Sequence, residues 1–197
     1  MMTPESIKTM SDTEGFYIRT FTGKKLYWDH VDQHDYDIVD IAHSLAQRVR
    51  WSGHTKRQGN RIMSIGQHSC YVHDILPSPL KKQGLLHDAA EAYMPDFPSP
   101  LKHWMLARGD RAIDDLETEV DKAIGKKLNV QFPREPLVKR ADLLALSIEH
   151  RDLMPESSER DFMLTPLTKE PLKLWTIQRT EREFLVRYYA ITEKERR

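Results

Sequence analysis

The chain has 197 residues, and 30 Lys plus Arg balance 30 Asp plus Glu, so its formal net charge is zero with histidine counted neutral. That balance excludes a general nucleic-acid binder or a membrane-surface protein, both of which carry a net basic field. With 39% apolar residues, 30% charged residues, 8 Gly and 11 Pro, the composition excludes collagen-like, low-complexity and disordered chains, and the length suits one domain over 1–197 with one sizeable core.

Cys70 stands alone, so no intramolecular disulfide and no cysteine-rich zinc site is expected. It reads as a small core residue. The N-terminal segment has no apolar stretch after a basic start, and no run of about 18 apolar residues follows anywhere. The expectation is a cytoplasmic chain, in the reducing compartment of whichever cell makes it, with no membrane partner.

From Gly15 to Trp28 an aromatic and β-branched stretch broken at Thr22-Gly23 predicts a short hairpin or extended arm. Ile38, Ile41, Ala42, Leu45 and Val49 then keep helical spacing, which predicts a first helix from Asp37 to about Trp51. A polar loop, SGHTKRQGNR, follows, and Ser64 to Gln67 reads as a capping box opening a helix with Ile65, His68, Val72 and Ile75 on one face. Ser78-Pro79 and Ser99-Pro100 each look like a cap with proline at the first helical position; the first of these helices carries LLHDAAEAY. Asp110 opens a long amphipathic helix, Pro136 starts another through LVKRADLLALSIEHRDL, and the last begins near Pro171. The sum is an all-α bundle of about seven helices, with a core over about 37–150, a C-terminal helix over about 171–195 and a surface loop from Pro155 to Pro171.

His68, the pair His87-Asp88, and Asp142 each fall on or beside the apolar face of a different predicted helix. Buried ionisable groups are costly unless paired or bound to metal, so several converging from three helices point to an ion between them. Two imidazoles and two carboxylates suit a divalent metal such as Co, Mn, Zn, Ni, Fe or Mg, and suit Ca²⁺ less well. Glu91, three residues after Asp88, is placed as a general acid or base. Asp96 follows, placed to orient a water or bind a sugar hydroxyl.

The segments QHS at 67–69, LLHDAAEAY at 85–93, DFPSPLK at 96–102 and KRADLLAL at 139–146 resemble the HD-domain metal-dependent phosphohydrolases. The branch they are most similar to contains bacterial 5′-deoxynucleotidases and small phage deoxynucleotide triphosphohydrolases acting on dATP. DIAHSLAQRVRWSGHT at 40–55 is similar to the phage members. The resemblance spans roughly residues 21–150. It implies an HD-fold bundle and a metal held by His68, His87, Asp88 and Asp142. It also implies catalysis by Glu91 and Asp96, a nucleotide contact through Arg50 and Trp51, and a homo-oligomer, either a dimer or a larger ring. The implied substrate is a small deoxynucleotide, with no stable nucleic-acid complex. The implied reaction, in a host cytoplasm if the chain is phage-encoded, is hydrolysis of a deoxynucleoside triphosphate to deoxynucleoside and triphosphate, with di- and monophosphates as further substrates.

Between Ile41 and His73 lie Arg48, Arg50, Lys56, Arg57 and Arg61 and no acidic residue. If this loop closes over the site, Lys56 and Arg61 neutralise outer phosphates, His54 approaches phosphate, and Gly53 leaves room beside the base. Other readings compete. Arg50 also fits a cation at a helix C-terminus, and Trp51 a core aromatic, as Trp104 and Trp175 do. The run Asp29, Asp32, Asp35, Asp37 and Asp40 with His30 and His34 reads as helix-terminal charge and solvated loop rather than a second metal site. Two rival functions remain: a 5′-deoxynucleotidase restricted to monophosphates, and a non-catalytic HD-fold module binding nucleotide or single-stranded nucleic acid.

Overall fold

Helical spacing that runs through Val49 meets a backbone that stops sooner. In the computed structural model, which describes residues 15–155 and 164–195, the first helix, α1, spans Ile38–Gln47, with Asp37 accepting from Val39 N–H at its start. Arg48 is already extended, because its backbone turns to pair with the strand-like segment before the next helix: Ile65 N–H donates to Arg48 O and Arg50 N–H to Met63 O. Trp51, predicted to end the helix, instead begins a 3₁₀ turn with Trp51 and Ser52 at positive φ.

The N-terminal arm is a hairpin. β1 (Tyr17–Arg19) pairs antiparallel with β2 (Lys25–Tyr27), Ile18 opposite Leu26. The hairpin is fastened to α1 by Asp40, whose two carboxylate oxygens accept from Thr22 N–H at 2.7 Å and Thr22 Oγ1 at 2.9 Å. Asp40 was expected in solvated loop; it is buried, because its lone pairs are filled by the hairpin turn.

The remaining helices are α2 (Ile65–Ile75), α3 (Lys81–Leu85), α4 (Ser99–Leu106), α5 (Ala112–Leu128), α6 (Pro136–Leu153) and α7 (Ile177–Glu195). With the hairpin they make the expected all-α bundle. α2 lies at its centre, packed on α1, α3, α6 and α7, and Ile41, Leu45, Ile65, Cys70, Leu85, Leu86, Ile124 and Phe184 are fully buried around it. Ser64 caps α2 as the sequence implies, its Oγ accepting from Gln67 N–H at 3.2 Å. Gln67 does not close the box in return. Its amide donates to Lys173 O and accepts from Trp175 N–H, each at 2.9 Å.

That use of Gln67 explains why α7 starts at Ile177 and not near Pro171. Residues 171–176 belong to no regular element, and side chains satisfy three of their N–H groups: Asp152 takes Leu172, Gln58 takes Leu174 and Gln67 takes Trp175. Trp175 is a core residue, as expected; Trp104 is not. Trp104 is 54% exposed on α4 with the Arg108 guanidinium over its ring. Of the predicted 155–171 loop, residues 156–163 lie outside the described residues. Among the described residues no helix is long and apolar enough to cross a membrane.

Gly66 sets how closely α2 approaches α1. A Cβ there would stand 2.9 Å from Thr180 Cγ2 and 3.1 Å from the backbone of Leu45 and Ala46. Two backbones cannot both yield, so Gly66→Ala is expected to destabilise the fold by about 1–3 kcal/mol, read from urea denaturation. An unchanged midpoint would show that the helices separate freely.

Candidate metal centre and functional site

Three elements bring the predicted ligands together. His68 is in the middle of α2 and Asp142 in the second turn of α6, but His87 and Asp88 are not on a regular helix. α3 ends at Leu85, and Ala89–Ala92 form a 3₁₀ turn. The break has a local cause: Gly84 O, the carbonyl that a continuing helix gives to Asp88 N–H, lies 2.8 Å from His87 Nδ1 and accepts its proton. This bond turns His87 Nε2 toward His68.

The two Nε2 atoms stand 3.3 Å apart. Asp142 Oδ1 lies 3.1 Å from His68 Nε2 and 4.0 Å from His87 Nε2, and one ligand atom from each of His68, His87 and Asp142 falls within 4.8 Å of the others. Asp88 adjoins this trio, its Oδ2 3.1 Å from His87 Nε2 and 3.9 Å from His68 Nε2.

Glu149, which the sequence reading did not select, orders the group from behind. It follows Asp142 by seven residues, two turns along the same face of α6, and is fully buried. Its Oε1 takes the Nδ1 proton of His68 at 2.5 Å. Its Oε2 accepts from Trp51 Nε1 at 3.0 Å and Arg50 Nε at 3.3 Å. Burial alone raises this carboxyl, but Arg50 and His68 outweigh it and hold Glu149 below the usual range. The available signal was spacing: Asp142, Ala145 and Glu149 recur at i, i+3 and i+7, which places a charged residue on a core stripe.

With both Nδ1 protons directed outward, the two Nε2 atoms and the Asp88 and Asp142 oxygens present lone pairs to one small volume. Such a donor set repels itself unless a cation lies within it. In the chain alone a proton serves: burial and Arg50 oppose it, yet Glu149 and Asp142 push His68 up to about 9. A divalent metal fits the same nitrogen and oxygen donors, and a carboxylate behind a ligating histidine is the usual support for one. His68, His87 and Asp142 can therefore hold a metal ion.

Arg50 crosses the front of the group, with NH1 3.5 Å from Asp88 Oδ2. Its position owes nothing to a helix C-terminus, because α1 has already ended. Burial lowers Arg50, but Glu149 and Asp88 more than restore its charge. Glu91 is buried and its Oε2 has no hydrogen-bond partner. Desolvation, then Asp88 and Asp96, raise its carboxyl far above the ordinary value. Asp96 is raised too, by burial first and with Arg50 opposing.

The expected substrate contacts divide. Trp51 is anchored through its indole N–H, and its ring lies 5.9 Å from that of His150. Gly53 adopts φ +82°, and a Cβ there would touch only Val49; His54 beside it is exposed. Lys56 is pinned by its backbone N–H to Leu153 O, leaving its side chain exposed. Arg61 faces elsewhere, lining a cavity with Ala46, Ser64, Trp175 and Thr180, because Gln58, its bridge partner, is tied to Leu172 and Leu174. Lys102 and Lys139, cations the sequence reading passed over, stand nearer: Lys139 Nζ is 2.7 Å from Asp142 Oδ2, and Lys102, bonded to Glu117, acts electrostatically on Glu91 and Asp88.

Over 140 residues the chain is 35% identical to YfdR, an uncharacterized protein of Escherichia coli K12, covering 70% of this chain and 72% of YfdR. The chain belongs to the YfdR family. An uncharacterized protein of Rhodobacter capsulatus is 29% identical over 139 residues, which is 66% of this chain and 69% of that protein. No family model matches the chain.

In this YfdR-family chain both oxygens of Glu149 face donors, so an amide must set its NH₂ against one of them. Glu149→Gln is therefore expected to lower the stability of the metal-free protein by about 1–3 kcal/mol, measured by urea denaturation. Equal stability would mean that the three donors find water instead.

Proposed function

We propose that the chain is a metal-dependent deoxynucleotide phosphohydrolase of the HD class, acting on deoxynucleoside triphosphates. The observation that carries the reading is the convergence of His68, His87 and Asp142, with Asp88 beside them, next to a buried Glu91 whose carboxyl desolvation and Asp88 raise well above its ordinary value. The segments similar to HD phosphohydrolases supply the reaction type.

His68, His87, Asp88 and Asp142 would hold a divalent metal, which when bound would supply Lewis acidity at the phosphate and lower the pKa of the attacking water. Arg50, fixed by Glu149 and facing Asp88, offers its guanidinium to the charge that develops on the phosphoryl oxygens. Lys139 and Lys102 add positive charge on the carboxylate side of the group. Water oxygen bonds to the α-phosphorus as the bond from phosphorus to the 5′-oxygen breaks. Glu91 gives its proton to the departing 5′-oxygen and takes one from the water, so it ends as it began and the products are deoxynucleoside and triphosphate. Asp96 orients that water, and Trp51 stands at the sugar or base. His54, Lys56 and the space beside Gly53 border the outer phosphates and base.

A second reading, a 5′-deoxynucleotidase, has one observation in its favour. Arg61 lines another cavity, which leaves fewer loop cations for β and γ phosphates.

The two readings separate on incubation with dATP, dGTP, dAMP and dGMP plus Mn²⁺ or Co²⁺, with products resolved by chromatography. Deoxynucleoside and triphosphate are expected from the triphosphates, and Glu91→Gln should slow turnover by about 10²–10⁴-fold. Phosphate released from monophosphates alone would replace the first reading by the second. Turnover unchanged in Glu91→Gln would remove the catalytic assignment.

A further inference from the structure

The inner face of α7 is ordinary: Thr180, Phe184 and Tyr188 are buried against the bundle. Its outer face is not. Val186 is 56% exposed and Tyr189 46%, and with Leu185 and Ala190 they floor an open groove along the helix. A lone apolar side chain on a surface needs no explanation, but a contiguous strip on one helix face marks a contact surface.

Charge identifies what covers it. Arg182 stands one helical turn before Val186, and Glu193 one turn after Tyr189, both at the rim of the groove. The pattern is self-complementary about a point between Arg187 and Tyr188. If a second α7 lies antiparallel across that point, Val186 meets Tyr189 of the second copy, Leu185 meets its Ala190, and Arg182 meets its Glu193. Each pairing occurs twice by symmetry, as an isologous two-fold contact requires. A parallel arrangement places Arg182 against Arg182 and Glu193 against Glu193. Neither rim charge is engaged strongly within the chain. Among the described residues Arg182 forms an ion pair with its neighbour Glu183, at 3.3 Å with its side chain 69% exposed, a contact worth little in water. Glu193 has no ion-pair partner among the described residues.

We propose that the outer face of α7 is a dimer interface, on which a second copy of this chain packs its own α7 antiparallel. The face is separate from the candidate metal centre, so this inference does not depend on the proposed reaction.

Sedimentation velocity over a wide concentration range tests it. The unaltered chain should form a dimer that dissociates on dilution, and Val186→Glu should be monomeric throughout while keeping its helical circular dichroism. Arg182→Glu and Glu193→Arg should each weaken the dimer by at least about tenfold, and the double exchange R182E/E193R should recover most of the loss. A chain that is monomeric at every concentration, a dimer that Val186→Glu leaves intact, or a double exchange no better than the singles would overturn the assignment.

Discussion

A carboxylate taken out of water is tolerated only when donors replace the hydration it loses, and Glu149 receives three: His68 Nδ1, Arg50 Nε and Trp51 Nε1. The candidate site is arranged by that requirement. The bond to His68 fixes which ring nitrogen faces Asp142. The bonds to Arg50 and Trp51 hold a segment whose backbone has left α1 and passes through positive φ at Trp51 and Ser52. One buried anion thus positions a ligand from α2 and a cation from the connecting turn, while α6 carries both Glu149 and Asp142. Breaking such a group from one side leaves its partners charged and unpaired, which is costlier than never having built it.

The same arrangement separates two roles among the acidic residues. Asp88 and Asp142 sit beside imidazoles and are held ionised despite their burial. Glu91, a turn away, is surrounded by burial, Asp88 and Asp96, and is pushed the other way. Carboxyls whose surroundings drive them apart are a frequent mark of acid and base work in one site. The contrast arises from neighbours: Asp88 meets His87 and His68 first, whereas Glu91 meets Asp88.

Much of this was legible in the sequence because it follows from spacing. The longer helices, the Ser64 cap and the convergence of His68, His87 and Asp142 come from periodicity and residue type. Ser78 and Ser99, expected as caps, instead lie inside their elements after Pro77 and Pro98 and cap nothing. What escaped depends on long-range partners. Glu149 has the spacing of a core residue and the chemistry of a surface one, and only His68 and Arg50, far away in sequence, reconcile the two. The late start of α7 depends on side chains of Gln58, Gln67 and Asp152 that take backbone bonds a helix would otherwise need. The break before His87 depends on one bond to Gly84 O. Arg61 looked like a phosphate contact because it lies in a basic loop, but the ties of Gln58 to residues 172 and 174 direct that loop toward Trp175. Trp104, expected inside, lies on α4, where every side chain is exposed or half-buried.

His68, His87 and Asp142 can together hold one metal ion. Titrating the metal-free protein with Co²⁺ while following its visible absorption tests this directly. One tight equivalent per chain, lost in both His68→Ala and His87→Ala, is the predicted result. Absence of saturable binding, or binding that both substitutions leave unchanged, would contradict it.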